Sequence, residues 1–249
     1  MKKDLLKISL NRRELVGDFY IPETENPCPL VIFSHGFNGS GKDFSMNCRL
    51  LAKHNIAAFS FDFCGGSVNA RSSMATTDMT IFTEMEDLCG VIDFMKKDSR
   101  IDAKNIFLFG ASQGGFVSAL VADERPADIG GLLLLYPALC IPDDWNQNFP
   151  RLSDIPESFN LWGMTLGHDF FSSLHGFKTF DHIGKFPRNV LVIHGNLDEI
   201  VAIGYIEKLP ATYAHAAVQV FPGEGHGFSD AGNQRVAEMT VAFVEKNKI

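Results

Sequence analysis

Gly110-Ala111-Ser112-Gln113-Gly114-Gly115 sets a serine among glycines, directly after the apolar run Ile106–Phe109 and ahead of the helix-compatible stretch Phe116–Ala122. A strand that turns sharply into a helix lifts its apical side chain above the sheet edge, with the positive end of the helix dipole beneath it. Glycines are required there because backbone packs on backbone and leaves no room for Cβ. A serine hydroxyl is a weak nucleophile, however, and needs a base that a carboxylate orients.

Six histidines follow Ser112. His168, His175 and His182 fall in a segment without a clear strand, His194 ends an apolar run, and His215 precedes one. His226 lies in Pro222-Gly223-Glu224-Gly225-His226-Gly227-Phe228, a glycine-rich loop just past the last expected strand, from which a side chain can reach back over the strand ends. We therefore take it as the base. For the acid, the loop after Val190–His194 offers Gly195-Asn196-Leu197-Asp198-Glu199. Asp198 leads, because a short carboxylate in a tight turn is easily fixed against an imidazole. Its neighbour Glu199 comes second, and Asp143 and Asp144 are more remote.

A tetrahedral oxyanion needs two backbone donors. One is expected from Gln113, just after the nucleophile, and the other from Phe37 in Ser34-His35-Gly36-Phe37-Asn38-Gly39. His35 reads as a structural histidine, hydrogen-bonded within that loop. No histidine or cysteine spacing suits zinc, no GxxxxGK[ST] is present, and no GxGxxG opens a helix. The expected chemistry needs neither metal nor cofactor.

These residues must be held by regular elements. Residues 5–10 and 14–21 read as an antiparallel pair at a sheet edge. Leu30–Ser34, Ile56–Phe61, Ile106–Phe109, Gly131–Tyr136, Val190–His194 and Val218–Phe221 read as further strands. Asp43 is placed to cap a helix running to about His54, and helices are expected over Ile81–Lys97, Ser112–Ala122 and 231–247. Strands alternating with helices imply an α/β fold, a mostly parallel, doubly wound sheet of about eight strands. Residues 137–186 break the alternation and show no strand pattern, so they are expected to form a cap between the sixth and seventh strands. Residues 1–136 and 187–249 would then make the core. The cap holds Trp145, Trp162 and seven phenylalanines, nine of the 28 aromatic residues in the chain. That suits a cover over a planar or acyl substrate, with Trp162 lining the pocket.

The 249 residues carry a net charge of −8 with acids and bases interspersed, so no basic stripe is available for nucleic acid. No apolar run approaches a membrane span, and MKKDLLKISLNRREL lacks a signal-peptide core. Five scattered cysteines without a CxxC pair suit reduced thiols and a cytoplasmic setting.

Phe33-Ser34-His35-Gly36-Phe37, Phe61-Asp62-Phe63-Cys64-Gly65-Gly66-Ser67, the Gly110–Gly115 segment, His194-Gly195-Asn196-Leu197-Asp198 and Gly225-His226 together resemble small bacterial serine esterases of the α/β-hydrolase superfamily. The nearest group is the cinnamoyl (feruloyl) esterases. That resemblance implies the α/β-hydrolase fold, cleavage of hydroxycinnamate esters without a cofactor, an insertion at the same place in the fold, and homodimers. It also implies that Asp144 and Gln147 are cap groups that hydrogen-bond phenolic hydroxyls. The group usually carries histidine where Ala111 stands. Serine at position 112 excludes the dehalogenase and epoxide hydrolase chemistries of this fold, which use an aspartate.

The sequence thus predicts a carboxylic ester hydrolase acting through Ser112, His226 and Asp198 on a small-molecule ester. A peptidase or acyltransferase using the same three residues is the nearest alternative. A receptor that kept the pocket and lost turnover is the alternative of another class.

Overall fold

The computed structural model describes residues 1–249. Its main sheet is built from β1 (Lys2–Leu10), β2 (Arg13–Ile21), β3 (Cys28–Ser34), β4 (Ala57–Asp62), β5 (Ile101–Ala111) and β6 (Gly131–Leu135). A hairpin of β7 (Ser158–Leu161) and β8 (Met164–Gly167) stands apart, and β9 (Val190–Gly195) and β10 (Ala216–Phe221) complete the sheet. The eight strands are ordered β1-β2-β4-β3-β5-β6-β9-β10. Every neighbouring pair from β4 to β10 is parallel, and β2 is antiparallel to both β1 and β4. This is the α/β-hydrolase fold.

Helices cover both faces, which is why the central strands are apolar on both sides rather than alternating. On one face lie α1 (Ser45–Lys53) and the C-terminal helix α9 (Asp230–Asn247), whose Leu51, Val236 and Val244 join Phe33 and Phe109 in one core. On the other lie α2 (Ile81–Met95) and α3 (Gln113–Glu124). The first ten residues of α3 are all buried, as expected of a helix that is apolar nearly all round.

From β3 the chain moves outward to β4 and then returns through α2 to β5 on the other side of β3. The direction of winding therefore reverses between β3 and β5. In an open α/β sheet, the carboxyl ends of the strands at such a reversal leave a crevice. Ser34 pairs with Gly110 and Ala111 with Leu135, so residues 35–37, 112 and 136 emerge side by side at that crevice.

Two expectations need correction. Residues 137–186 do contain strands: β7 and β8 pair antiparallel across the two-residue turn Trp162-Gly163. Both turn residues have positive φ, 48° and 85°, the conformation that matches hairpin twist. Four-residue strands with mixed burial are too short for an alternation to stand out. Beside this hairpin the segment holds α4 (Ile141–Asn148), α5 (His168–Ser172) and α6 (Thr179–His182), while α7 (Ile203–Ile206) and α8 (Leu209–Thr212) follow β9. The second correction concerns Asp43, which is not the cap. Ser40 caps a short 3-10 turn, Gly41–Phe44, and Asp43 Oδ2 accepts in return from the Ser40 N–H at 2.8 Å.

Candidate active site

Ser112 sits at the apex between β5 and α3 with φ 52° and ψ −120°, a region that non-glycine residues enter only under strain. The turn is tight because Gly114 packs on the neighbouring loop. A Cβ on Gly114 would lie 2.3 Å from the Ser34 carbonyl oxygen, so no other residue fits. That contact also ties the serine turn to the loop after β3.

The other two side chains arrive from the next strand ends. His226 Nε2 lies 2.9 Å from Ser112 Oγ, and His226 Nδ1 lies 2.9 Å from Asp198 Oδ2. Asp198 Oδ1 accepts from the amides of Ile200 and Val201 at 2.9 and 2.8 Å. Asp198 therefore keeps one oxygen for its own turn and presents the other to the imidazole. In this arrangement Nδ1–H donates to Asp198 and Nε2 is free to accept from the serine hydroxyl. The acid turn is further fixed by buried His194, whose Nε2 is 3.1 Å from the Val201 carbonyl and 3.7 Å from Asp198 Oδ2.

Phe37 and Gln113 are both brought beside Ser112, lining the same cavity. The Phe37 amide finds no backbone acceptor in the protein, and Gln113 is the first residue of α3, where a helix leaves its N–H groups unpaired. His35 is indeed a loop brace: Nε2 accepts from the Phe63 amide at 3.0 Å and Nδ1 donates to the Gly36 carbonyl at 2.7 Å. Burial pushes its pKa down, so it stays neutral.

Two cavities meet at Ser112. One, of about 450 Å³, lies under residues 137–186 and is lined by Gln113, Ile141, Asp144, Gln147, Leu161 and Glu199 among others. The second, of about 320 Å³, lies on the other side, with Asp43, Asn47, Tyr136, His226 and Asn233 in its walls. Phe37, Ser112 and Trp162 belong to both. The Phe37 and Trp162 rings meet edge to face at 6.0 Å and divide the two lobes. Trp162 is nonetheless 67% exposed.

Homology adds a family to this geometry. Residues 25–175 match the model of the hydrolase family described as serine aminopeptidase, S33. The chain belongs to that family. Among its relatives are human monoglyceride lipase, 29% identical over 148 residues, which cover 59% of this chain and 48% of that protein. Protein phosphatase methylesterase 1 of Candida albicans is 29% identical over 117 residues, covering 47% of this chain and 31% of that protein. The chain thus spans about half or less of the length of these relatives. Among solved structures, Est1E from Butyrivibrio proteoclasticus with ferulic acid bound superposes with a TM-score of 0.88 over 97% of this chain and 98% of that one, at 24% identity. That likeness establishes a shared fold.

Sequence patterning overlooked one residue that borders Ser112 and His226. Tyr136, just past β6 with φ 35°, rests its ring on His226. Asp143 instead accepts from the Tyr205 hydroxyl at 2.7 Å, and the imidazole pairs with Asp198. Most of the aromatic residues in 137–186 serve packing: Trp145 gathers Phe149, Phe159, Phe170 and Phe171, the last at 4.7 Å between ring centroids. Only Trp145, Trp162 and Phe170 of that segment's nine aromatics reach the larger cavity. No three His, Cys, Asp or Glu side chains converge as a metal cage, and no helix is long and apolar enough to cross a membrane.

Proposed function

We propose that this protein is a serine carboxylic ester hydrolase, with Ser112 as nucleophile, His226 as general base and acid, Asp198 as the orienting carboxylate, and the amides of Phe37 and Gln113 as oxyanion donors. The observation that carries this reading is the hydrogen-bonded line from Ser112 through His226 to Asp198, 2.9 Å at each step, opening onto a two-lobed cavity. His226 takes the Ser112 proton as Oγ bonds to the ester carbon, and the two amides receive the oxyanion. Collapse breaks the ester C–O bond, and the imidazolium hands its proton to the departing alcohol. Water, deprotonated by His226, then attacks the acyl-enzyme and frees the acid and Ser112.

The direction of that second proton transfer orients the substrate. The alcohol must leave on the His226 side, which is the smaller lobe. The acyl group then occupies the larger lobe beneath residues 137–186, which we read as a cap. Its walls suit a planar or aromatic acyl chain such as hydroxycinnamoyl, with Asp144 and Gln147 facing phenolic hydroxyls and Trp162 closing the top. The monoglyceride lipase relatives support ester chemistry, and the ferulate-bound neighbour supports the choice of acyl group. Five unpaired cysteines, four of them buried, suit a reducing cytoplasmic setting.

A second reading has its own support. The family's description names an aminopeptidase, and Asp144 and Glu199 share the larger lobe, where two carboxylates would suit a substrate ammonium. A panel of methyl ferulate, p-nitrophenyl butyrate, a monoacylglycerol and aminoacyl p-nitroanilides separates the readings. Ester turnover lost in Ser112→Ala by several orders of magnitude is expected. Turnover of the anilides alone would favour the aminopeptidase, and an unaffected Ser112→Ala variant would sink both.

A further inference from the structure

Glu84 is buried on α2 and no cation pairs with it. Its Oε2 accepts from Gln113 Nε2 at 2.9 Å, so it grips the side chain whose backbone amide stands beside the nucleophile. Its Oε1 faces Gly66: a Cβ on Gly66 would lie 3.2 Å from that oxygen and 3.1 Å from His35 Cε1. The Gly66 carbonyl in turn accepts from the Asn38 amide at 3.1 Å, which fixes the loop carrying Phe37. One helical turn on, Asp87 Oδ2 accepts from the Cys64 amide at 2.8 Å, pinning the start of the same segment.

We propose that Glu84 is a positioning residue for the oxyanion hole, holding Gln113 from one side and backing the Gly66–Asn38 contact that sets Phe37 from the other. It rests on the esterase reading above. A hydrophobic residue would fill the space but would leave the Gln113 side-chain amide only the weakly accepting Met79 sulfur at 3.9 Å, free to turn and carry the helix start with it. Misplacing reacting partners by an ångström costs about a hundredfold in rate.

The group acts as a neutral acid. Burial raises its pKa to about 8, against the Gln113 hydrogen bond and with help from the Asp87 charge. The other groups facing this pocket are Asp87 itself, Arg13 of β2, whose guanidinium is 3.1 Å from Asp87 Oδ1, the Met79 sulfur and neutral His35. Ionisation of Glu84 would put a negative charge behind the site where an oxyanion forms.

The test uses the full chain, with active sites counted by fluorophosphonate labelling. Glu84→Leu is expected to lower kcat about tenfold to a hundredfold, with KM within about twofold. Glu84→Gln, a neutral acceptor of the same shape, should recover kcat to within about threefold of wild type, and the fall in kcat expected of wild type as pH rises through about 8 should be absent from it. Gln113→Met keeps the backbone donor and removes the tether, and should match Glu84→Leu with no further loss in the double variant. Full kcat in Glu84→Leu, or equal loss in Glu84→Gln, would overturn the positioning role alone. A wild-type protein that resists the fluorophosphonate would overturn the esterase reading and this one with it.

Discussion

Tyr136 lays its ring against the imidazole of His226, centroids 4.6 Å apart and planes at 50°. Its other neighbour is Phe228, at 5.4 Å, so the imidazole is held in position by an aromatic wall behind the strand ends. Tyr136→Phe keeps the wall and should keep kcat within about twofold. Tyr136→Ala lets the imidazole swing and should lower kcat about tenfold. Steady-state kinetics on p-nitrophenyl butyrate decide it, and equal losses in both variants would point to the hydroxyl instead.

Asp198→Asn should lower kcat by about four orders of magnitude, because the amide favours the wrong imidazole tautomer. The turn survives, since the asparagine oxygen can still accept from Ile200 and Val201. Single-turnover kinetics beside circular dichroism would separate this from unfolding.

Strain at Ser112 predicts an inversion of the usual ranking of alanine over glycine. With φ at 52°, Ser112→Gly relieves the Cβ clash that Ser112→Ala retains, a difference of about 1 kcal/mol. Both should be inactive, and the glycine variant should melt roughly 2–4 °C higher. Calorimetry that ranks alanine above glycine would contradict the strained turn.

Trp162 is mostly solvent-exposed yet borders both lobes. Trp162→Ala should leave the melting temperature within about 2 °C. It should raise KM for methyl ferulate about threefold to tenfold while changing p-nitrophenyl acetate less, since removed apolar contact acts only where the acyl group reaches it. An equal effect on both esters would place the ring outside the acyl site.

Acid and base titrations should separate two buried carboxylates. Burial alone would raise Asp62, but the Arg71 hydrogen bonds and two backbone amides outweigh it and hold the pKa below the ordinary 3.8. Its contribution to stability is present above that ordinary value and lost as pH falls through the native one. Arg71→Leu should therefore cost about 3 kcal/mol at pH 7 and less at pH 3 by urea denaturation. Glu84 has the opposite sign. Raised from 4.5 to about 8, it binds a proton in the native state that the unfolded chain has released, so stability declines as pH climbs between those values. Glu84→Gln should flatten that decline.

By itself the sequence determined the elements and the chain positions at which the site assembles. Continuous apolar runs mark strands buried on both faces, glycines flanking Ser112 mark a turn with no room for Cβ, and loops just past strands mark where Asp198 and His226 emerge. These are local signals, because burial and backbone geometry leave their imprint on neighbouring residues. The short hairpin at 158–167 escaped notice because four residues cannot display a period. Only the tertiary structure decided which side chains meet. Glu84 and Gln113 are 29 positions apart, and nothing near Glu84 distinguishes it from a solvated acid on an amphipathic helix. Likewise Trp145 and Trp162 look alike in sequence, yet one anchors an aromatic core and the other divides two cavities. That partition depends on how the insertion folds back over the crevice between β3 and β5, a matter of long-range packing that no window of neighbouring residues records.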